Sequence, residues 1–312
     1  MPYRHIPVMP AEVLHYLDCR PGTIHVDGTL GGAGHAVMVL EKIMPGGLLI
    51  GIDQDRDAIQ NAETVLGDHA ADVRLFQGNF VRLPDFLSQL NIAGVDSILL
   101  DLGISLYQIE SSGRGFSFMT DEPLDMRMDV TARTKAEDII NGAEEKNLRK
   151  IFQEYGEERW ARQIARNIVA GRKEKKITSS RQLAEIVKSA VPRKASLSQR
   201  IHPATRVFMA LRIAVNQELE VLASFLDGAM DFLNPKGRLC IISFHSLEDR
   251  IVKHRFKAME KGCSCPPRFP QCVCGRTKLV RSLTPKVVRP TDAEVRKNPM
   301  ARSARLRAFE KL

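Results

Sequence analysis

The chain reads as a doubly wound α/β sheet that carries an inserted helical domain. Three observations lead to this. Short, nearly all-apolar runs alternate with helical stretches up to Asp101, as in parallel sheets buried on both faces. A Gly-rich turn follows the first of these runs. The alternation then stops, and a basic, helical stretch intervenes before a further apolar strand. The expected division is therefore 1–133 for the first part of the sheet domain, 134–202 for the helical insert, and 203–312 for the second part with a basic, Cys-containing tail.

The elements follow in order. Thr23–Asp27 is a first strand running into the turn DGTLGGAGH (27–35). A helix of about Ala36–Ile43 is stopped by Pro45-Gly46-Gly47. Leu48–Asp53 is a second strand, Arg56–Leu66 a helix, and Val73–Gln77 a third strand leading into Gly78-Asn79-Phe80. Val95–Asp101 is a fourth strand. Leu102–Asp129 is rich in Gly, Ser and Phe and reads as a long functional loop. Ala143–Tyr155, Glu157–Arg172 and Ser180–Ala190 are helical in pattern. Ala204–Leu233 reads as one long helix ended by Asn234-Pro235-Lys236-Gly237, and Arg238–Phe244 as a fifth strand. Beyond about Lys253 the chain reads as loop-rich, with an antiparallel pair near Lys278–Leu283 and Ala304–Phe309.

The net charge of +9 over 312 residues hides a division. Residues 1–145 carry −12 and residues 213–249 carry −4, while residues 146–212 carry +12 and residues 250–312 carry +13. Two basic blocks of this size point to a polyanion, nucleic acid first; solvated helix faces are the plainer alternative. No apolar run approaches the ~20 residues of a membrane helix. The N-terminus is interrupted by Pro and charge, so no signal peptide is expected. Six cysteines in a chain 44% hydrophobic point to the reducing cytoplasm.

Chemistry gathers at the strand ends. Glycines let backbone approach a ligand, and the helix start behind them favours an anionic group. Asp53 ends the second strand 22 residues beyond Gly31, where an acid commonly bonds ribose hydroxyls. Together these imply a nucleoside-containing cofactor, without choosing between NAD and S-adenosylmethionine. Asp101 ends the fourth strand, where open α/β sheets bind ligands, and can accept hydrogen bonds from an exocyclic amine. Asp27, Asp53 and Asp101 are expected on one sheet edge, an acidic setting that suits a sulfonium cation. Arg114-Gly115-Phe116-Ser117-Phe118 and Arg127 offer cations and rings for an unpaired base. His202-Pro203-Ala204-Thr205-Arg206 and Ser243-Phe244-His245-Ser246 are further candidates, the latter directly after the fifth strand. Cys263-x-Cys265 and Cys272-x-Cys274 place four thiols within 12 residues. They can wrap one tetrahedral ion, zinc first, in a structural role; reduced surface thiols are the alternative.

Taken together, the chain resembles the RsmH (MraW) family of bacterial rRNA methyltransferases. The resemblance rests on His5-Ile6-Pro7-Val8, DGTLGGAGH (27–35), GIDQD (51–55), DLGIS (101–105) with Gln108, RGFSFM (114–119) and PLDMRMD (123–129). It continues through GEERWARQIA (156–165), HPATRVFMALRI (202–213), SFHSLEDRIVK (243–253) and Arg302–Arg307. It implies a class I (Rossmann-like) methyltransferase fold and methyl transfer from S-adenosylmethionine to the N4 amine of a cytosine in the decoding region of 16S rRNA. The substrate would be held within the small ribosomal subunit; no stable protein partner is evident. By position, Ala33, Gly34, His35, Asp53, Phe80, Asp101 and Gln108 would bind the cofactor. Asp101, Ser105, His245 and Ser246 are the catalytic candidates. Arg114, Phe116, Phe118, Arg127, Arg206 and Phe244 are the substrate candidates, and Cys263, Cys265, Cys272 and Cys274 the metal ligands. Leu102-Gly103-Ile104 lacks the ring that follows the fourth-strand acid in many amino-methyltransferases, so base stacking is expected from Phe116, Phe118 or Phe244. The rival readings are a nicotinamide-dependent oxidoreductase and a non-catalytic ribosome-assembly factor.

Overall fold

The computed structural model describes residues 6–192, 201–263, 265, 269, 271, 274–275 and 277–312. The chain forms two compact units. One comprises Ser105–Glu218, the other the residues up to Ile104 together with Leu219–Leu312.

The second of these holds a seven-stranded sheet. Its strands are β1 (Ile24–Asp27), β2 (Leu48–Asp53), β3 (Val73–Gln77), β4 (Val95–Asp101), β5 (Leu233–Ser243), β6 (Val280–Ser282) and β7 (Arg305–Lys311). Their order is β3-β2-β1-β4-β5-β7-β6. The pairs among β1 to β5 are parallel, and β7 runs antiparallel to both β5 and β6. The apolar runs bury both faces, and neighbouring residues go to opposite ones, as the two-residue period of a strand requires. Ile50, Ile98, Leu100, Leu239 and Ile241 join one core cluster, with Phe225 and Phe256. Leu49, Leu99, Cys240, Ile242 and Leu306 join the other, with Val39 and Leu40. The connecting helices are α2 (Gly34–Ile43), α3 (Arg56–Val65) and α4 (Leu83–Gln89). A further helix, α1 (Pro10–Leu17), precedes β1.

The other unit is helical: α5 (Leu106–Glu110), α6 (Ala136–Gly142), α7 (Glu145–Glu154), α8 (Ala161–Glu174), α9 (Ser180–Ala190) and α10 (Ala204–Asn216). Leu148 and Phe152 of α7, Ile164 and Ile168 of α8 and Leu183 and Val187 of α9 are each four apart and fully buried, one apolar stripe per helix.

Three expectations need correction. Residues 204–233 are not one helix. Gln217 sits at φ 51°, ending α10, and α11 (Glu218–Gly228) follows. The cause is tertiary: the Asn216 amide donates to the Met126 carbonyl (2.8 Å) and its oxygen accepts from the Met128 N–H (2.8 Å). The fifth strand begins at Leu233 and holds a bulge, because its register on β4 jumps from Val95↔Leu233 to Ser97↔Arg238. Asn234–Gly237 loops out there, with Lys236 at φ 64° and the Asn234 amide donating to Asp96 (2.9 Å). Finally, the helix after β5 persists to Lys261 as α12 (Ser246–Lys261), fixed by Arg307 of β7 on Asp249 (2.6 Å) and by Phe256 stacked on Phe309 (3.6 Å). α13 (Asp292–Lys297) lies between β6 and β7.

Candidate functional site

Asp27, Asp53 and Asp101 end three parallel strands at one edge of the sheet. The turn after β1 packs tightly onto that edge. A Cβ on Gly28 would lie 2.5 Å from a Leu100 methyl and 3.1 Å from the Phe80 Cβ, so only glycine fits without displacement. Thr29 ties two strand ends together. Its N–H donates to Asp27 Oδ1 (3.1 Å), and its hydroxyl oxygen accepts from the Asp101 N–H (2.6 Å). Gly31, at φ 47°, donates its N–H to Asp53 Oδ2 (2.8 Å), and Asp53 Oδ1 accepts from the Asp55 N–H (2.8 Å). Ala33, in the left-handed region at φ 61°, caps α2, whose first two residues are Gly34 and His35.

His35 Nε2 lies 3.5 Å from Asp101 Oδ2. Both ring nitrogens of His35 and Asp101 Oδ1 are buried without a hydrogen-bond partner among the described residues. Leaving such atoms unmet costs about 1–3 kcal/mol each, so a cluster of them calls for a ligand. Burial pushes the Asp27 carboxyl up to about 7; His35 and the Thr29 N–H oppose the rise, and Asp101 and Asp53 add to it. The edge therefore gathers acids whose charges oppose the ionisation of Asp27, an electrostatic setting suited to a cationic group.

The end of β5 lies at the same edge, beside β4. Phe244 packs over the β4 turn, its ring 3.4 Å from where a Cβ on Gly103 (φ 102°) would sit. His245 is the N-cap of α12 in a capping box with Glu248. Glu248 Oε2 accepts from the N–H groups of Phe244 (2.9 Å) and His245 (3.3 Å), and His245 Nε2 lies 3.2 Å from Glu248 Oε1. Ser246 opens the helix and is half-buried. Phe80 turns inward: its ring is buried edge-on to Phe225 at 5.2 Å.

In the helical unit, Ser105 and Gln108 form a capping box on α5. The Ser105 hydroxyl accepts from the Gln108 N–H (3.2 Å), and Gln108 Oε1 accepts from the Ser105 N–H (3.1 Å). Arg114 is buried and donates to the carbonyls of Arg127 and Met128 (both 3.1 Å), with its guanidinium over the buried Phe116 ring. Arg127 forks onto Asp125 (2.6 and 2.7 Å) and donates to the Ala132 carbonyl (2.6 Å). These three residues build the loop. Phe118 and Arg206 present more surface. Phe118 is half-buried against His202 (4.7 Å) and Phe208 (5.2 Å), and Arg206 is 39% exposed. The residue pattern did not single out a shallow concavity of about 540 Å³ lined by Glu145, Lys146, Arg149, Lys150, Gln153 and Arg162. Its signal was the basic spacing at 146, 149 and 150 on one face of α7. In the tail, the Sγ atoms of Cys263, Cys265 and Cys274 lie within 4.8 Å of one another; Cys272 falls outside the described residues.

A doubly wound sheet, parallel from β3 to β5 and continued by antiparallel β7 and β6, with a Gly turn and strand-end acids on one edge, defines a Rossmann-like α/β fold. The chain belongs to the MraW methylase family, whose model matches residues 2–312. It is thus a methyltransferase, which sets aside the oxidoreductase reading. It is 57% identical over 307 residues to the ribosomal RNA small subunit methyltransferase H of Desulforapulum autotrophicum, covering 98% of each chain. The proteins of that name from Desulfosudis oleivorans and Geobacter sulfurreducens are 53% and 51% identical, each over 312 residues and the whole of both chains. Among the described residues, no helix is long and apolar enough to cross a membrane.

Proposed function

We propose that this protein transfers a methyl group from S-adenosylmethionine to the exocyclic N4 amine of a cytosine in the decoding region of 16S rRNA, held within the small ribosomal subunit. The observation that carries the reading is the partnerless Asp101 carboxylate oxygen beside His35, at the strand end next to the Gly turn. Family membership, and relatives whose names specify ribosomal RNA of the small subunit, support the substrate class.

The residues fit the cofactor chemically. Ala33, Gly34, His35, Asp53, Phe80, Asp101 and Gln108 would hold it. Backbone N–H groups donate to both Asp53 oxygens and hold the carboxylate at the strand end, where an acid suits a ribose hydroxyl. The acids at 27, 53 and 101 match a positive ligand. Bound there, S-adenosylmethionine supplies a methyl group on a sulfonium. Asp101 accepts a hydrogen bond from the target amine and aims its lone pair, so positioning dominates. Ser105, His245 and Ser246 shape the loops around that residue. Arg206, Phe118 and Phe244 supply a cation and rings for RNA, while Arg114, Phe116 and Arg127 hold the loop that presents Phe118. The basic concavity on α7 and the C-terminal block take phosphates.

The test is incubation with methyl-labelled S-adenosylmethionine and either undermethylated 30S subunits or naked 16S rRNA. Label is expected in RNA, more in the subunit. Cofactor binding with no label in either substrate would reject turnover and leave the assembly-factor reading.

A further inference from the structure

The structure assigns a structural zinc site to the tail, built on the thiolates of Cys263, Cys265 and Cys274; it stands independently of the methyl-transfer reading. The three Sγ atoms converge within 4.8 Å, with Cys263 and Cys274 at 3.8 Å. A tetrahedral zinc with Zn–S of about 2.3 Å has S···S edges of about 3.8 Å. A disulfide would need about 2.05 Å. The spacing of this pair is thus that of two ligands on one ion. The same segment holds one more cysteine in sequence, Cys272, outside the described residues.

The backbone around the thiols is arranged for the same purpose. The Cys265 N–H donates to Cys263 Sγ (3.4 Å) and fixes where that sulfur points. Gly262 and Gly275, at φ 67° and 63°, turn the chain directly beside Cys263 and Cys274. A Cβ on Gly262 would sit 2.7 Å from the Thr277 carbonyl carbon, so the two ends of the loop meet at its base. The Leu279 N–H donates to the Met259 carbonyl (3.1 Å) just outside it.

The described part of the loop is not packed into a core. None of its described residues from Gly262 to Leu279 is buried, and Phe269 is 53% exposed. A segment of this length without an apolar core needs a staple. Thiolate donors select zinc over magnesium or calcium, and ligation displaces the thiol protons to water. The flanking segment carries Lys261, Arg268, Arg276 and Lys278, so the ion would fix a basic loop in one conformation.

The full chain, purified without added metal or chelator, is expected to carry about one zinc ion per chain by elemental mass spectrometry. Cys263→Ser and Cys274→Ser should each lose most of it, while Cys19→Ser keeps it. Modifying the wild-type thiols in the presence of a metallochromic dye should release that zinc stoichiometrically. Cobalt-exchanged wild type should show thiolate-to-cobalt charge transfer and tetrahedral d–d bands, a readout that survives if the serine variants fail to fold. The assignment is overturned by wild type that takes up no metal even after zinc addition. It is equally overturned by zinc content unchanged in both folded serine variants, or by a disulfide among the four thiols in unreduced peptides.

Discussion

Replacing Asp101 separates catalysis from stability. Its Oδ1 is buried without a hydrogen-bond partner among the described residues, Oδ2 faces His35 at 3.5 Å, and its side chain is 11% exposed. Folding thus leaves a desolvated carboxylate oxygen unmet, a cost of about 1–3 kcal/mol. A hydrogen bond from the substrate amine to this charged acceptor is worth about 1.5–3 kcal/mol. If that bond is made mainly in the transition state, its loss lowers the rate about 10- to 150-fold. Asp101→Ala removes the acceptor altogether, so turnover is expected to fall by that factor while the protein stays folded. Asp101→Asn keeps the shape and one neutral acceptor, so its turnover should fall by less while the melting temperature holds or rises. Single-turnover methyl transfer to 30S subunits, with thermal unfolding of the same preparations, reads both quantities. Near-normal turnover in Asp101→Ala would refute the assignment. A loss of activity matched by unfolding would refute the argument that the carboxylate is spent on function.

Two further expectations follow from the same sheet and from the insert. Burial holds the His25 imidazole down at about 3, with the His35 charge adding to the effect, so its contribution to stability is lost as pH falls from 6.5 towards 3. Asp27, pushed up to about 7 from 3.8, acts oppositely, its contribution being lost as pH rises from 3.8 to 7. The two offset each other in their shared window. Asp27→Asn should therefore steepen the acid-side loss, and His25→Gln should make stability fall from pH 4 to 7, each by up to about 1.4 kcal/mol per pH unit. Parallel denaturant profiles across pH in all three proteins would count against both. On α7 and α8, reversing Lys146, Arg149, Lys150 and Arg162 together should reduce the salt slope of RNA binding by about 3, four phosphates at 0.7 each. Arg172 and Lys176, basic in sequence, are committed inside the unit to the Ile140 carbonyl (2.7 Å) and to Glu137 (2.5 Å), so reversing them should change the slope less. An unchanged slope in the four-site variant removes the concavity from the RNA surface.

The parallel strands were legible because burial on both faces leaves continuous apolar runs, and the acids at 27, 53 and 101 mark where those runs end. The break at Gln217 was not, because no Gly or Pro marks it; Asn216 is recruited by backbone about 90 residues earlier in the chain. The capping box of α5 was written in Ser105-x-x-Gln108 but lay in a stretch whose Gly and Ser content read as loop. Arg114 and Arg127 looked like free cations because charge pattern cannot show which carbonyls and carboxylates a fold will bring to them. Phe80 follows β3 as an adenine-facing ring would, and its edge-on contact with Phe225 is set by packing that no local pattern shows. The convergence of Cys263, Cys265 and Cys274 was legible from spacing, since 12 residues leave these thiols few places to go.

The most direct test of the central claim is the chemical identity of the methylated nucleoside. Undermethylated 30S subunits would be labelled by the wild-type protein and the RNA digested to nucleosides for mass spectrometry. The account predicts label in N4-methylcytidine from one decoding-region position, formed about 10- to 150-fold more slowly by Asp101→Ala. Label on a ring carbon, a ribose hydroxyl or another base would contradict it.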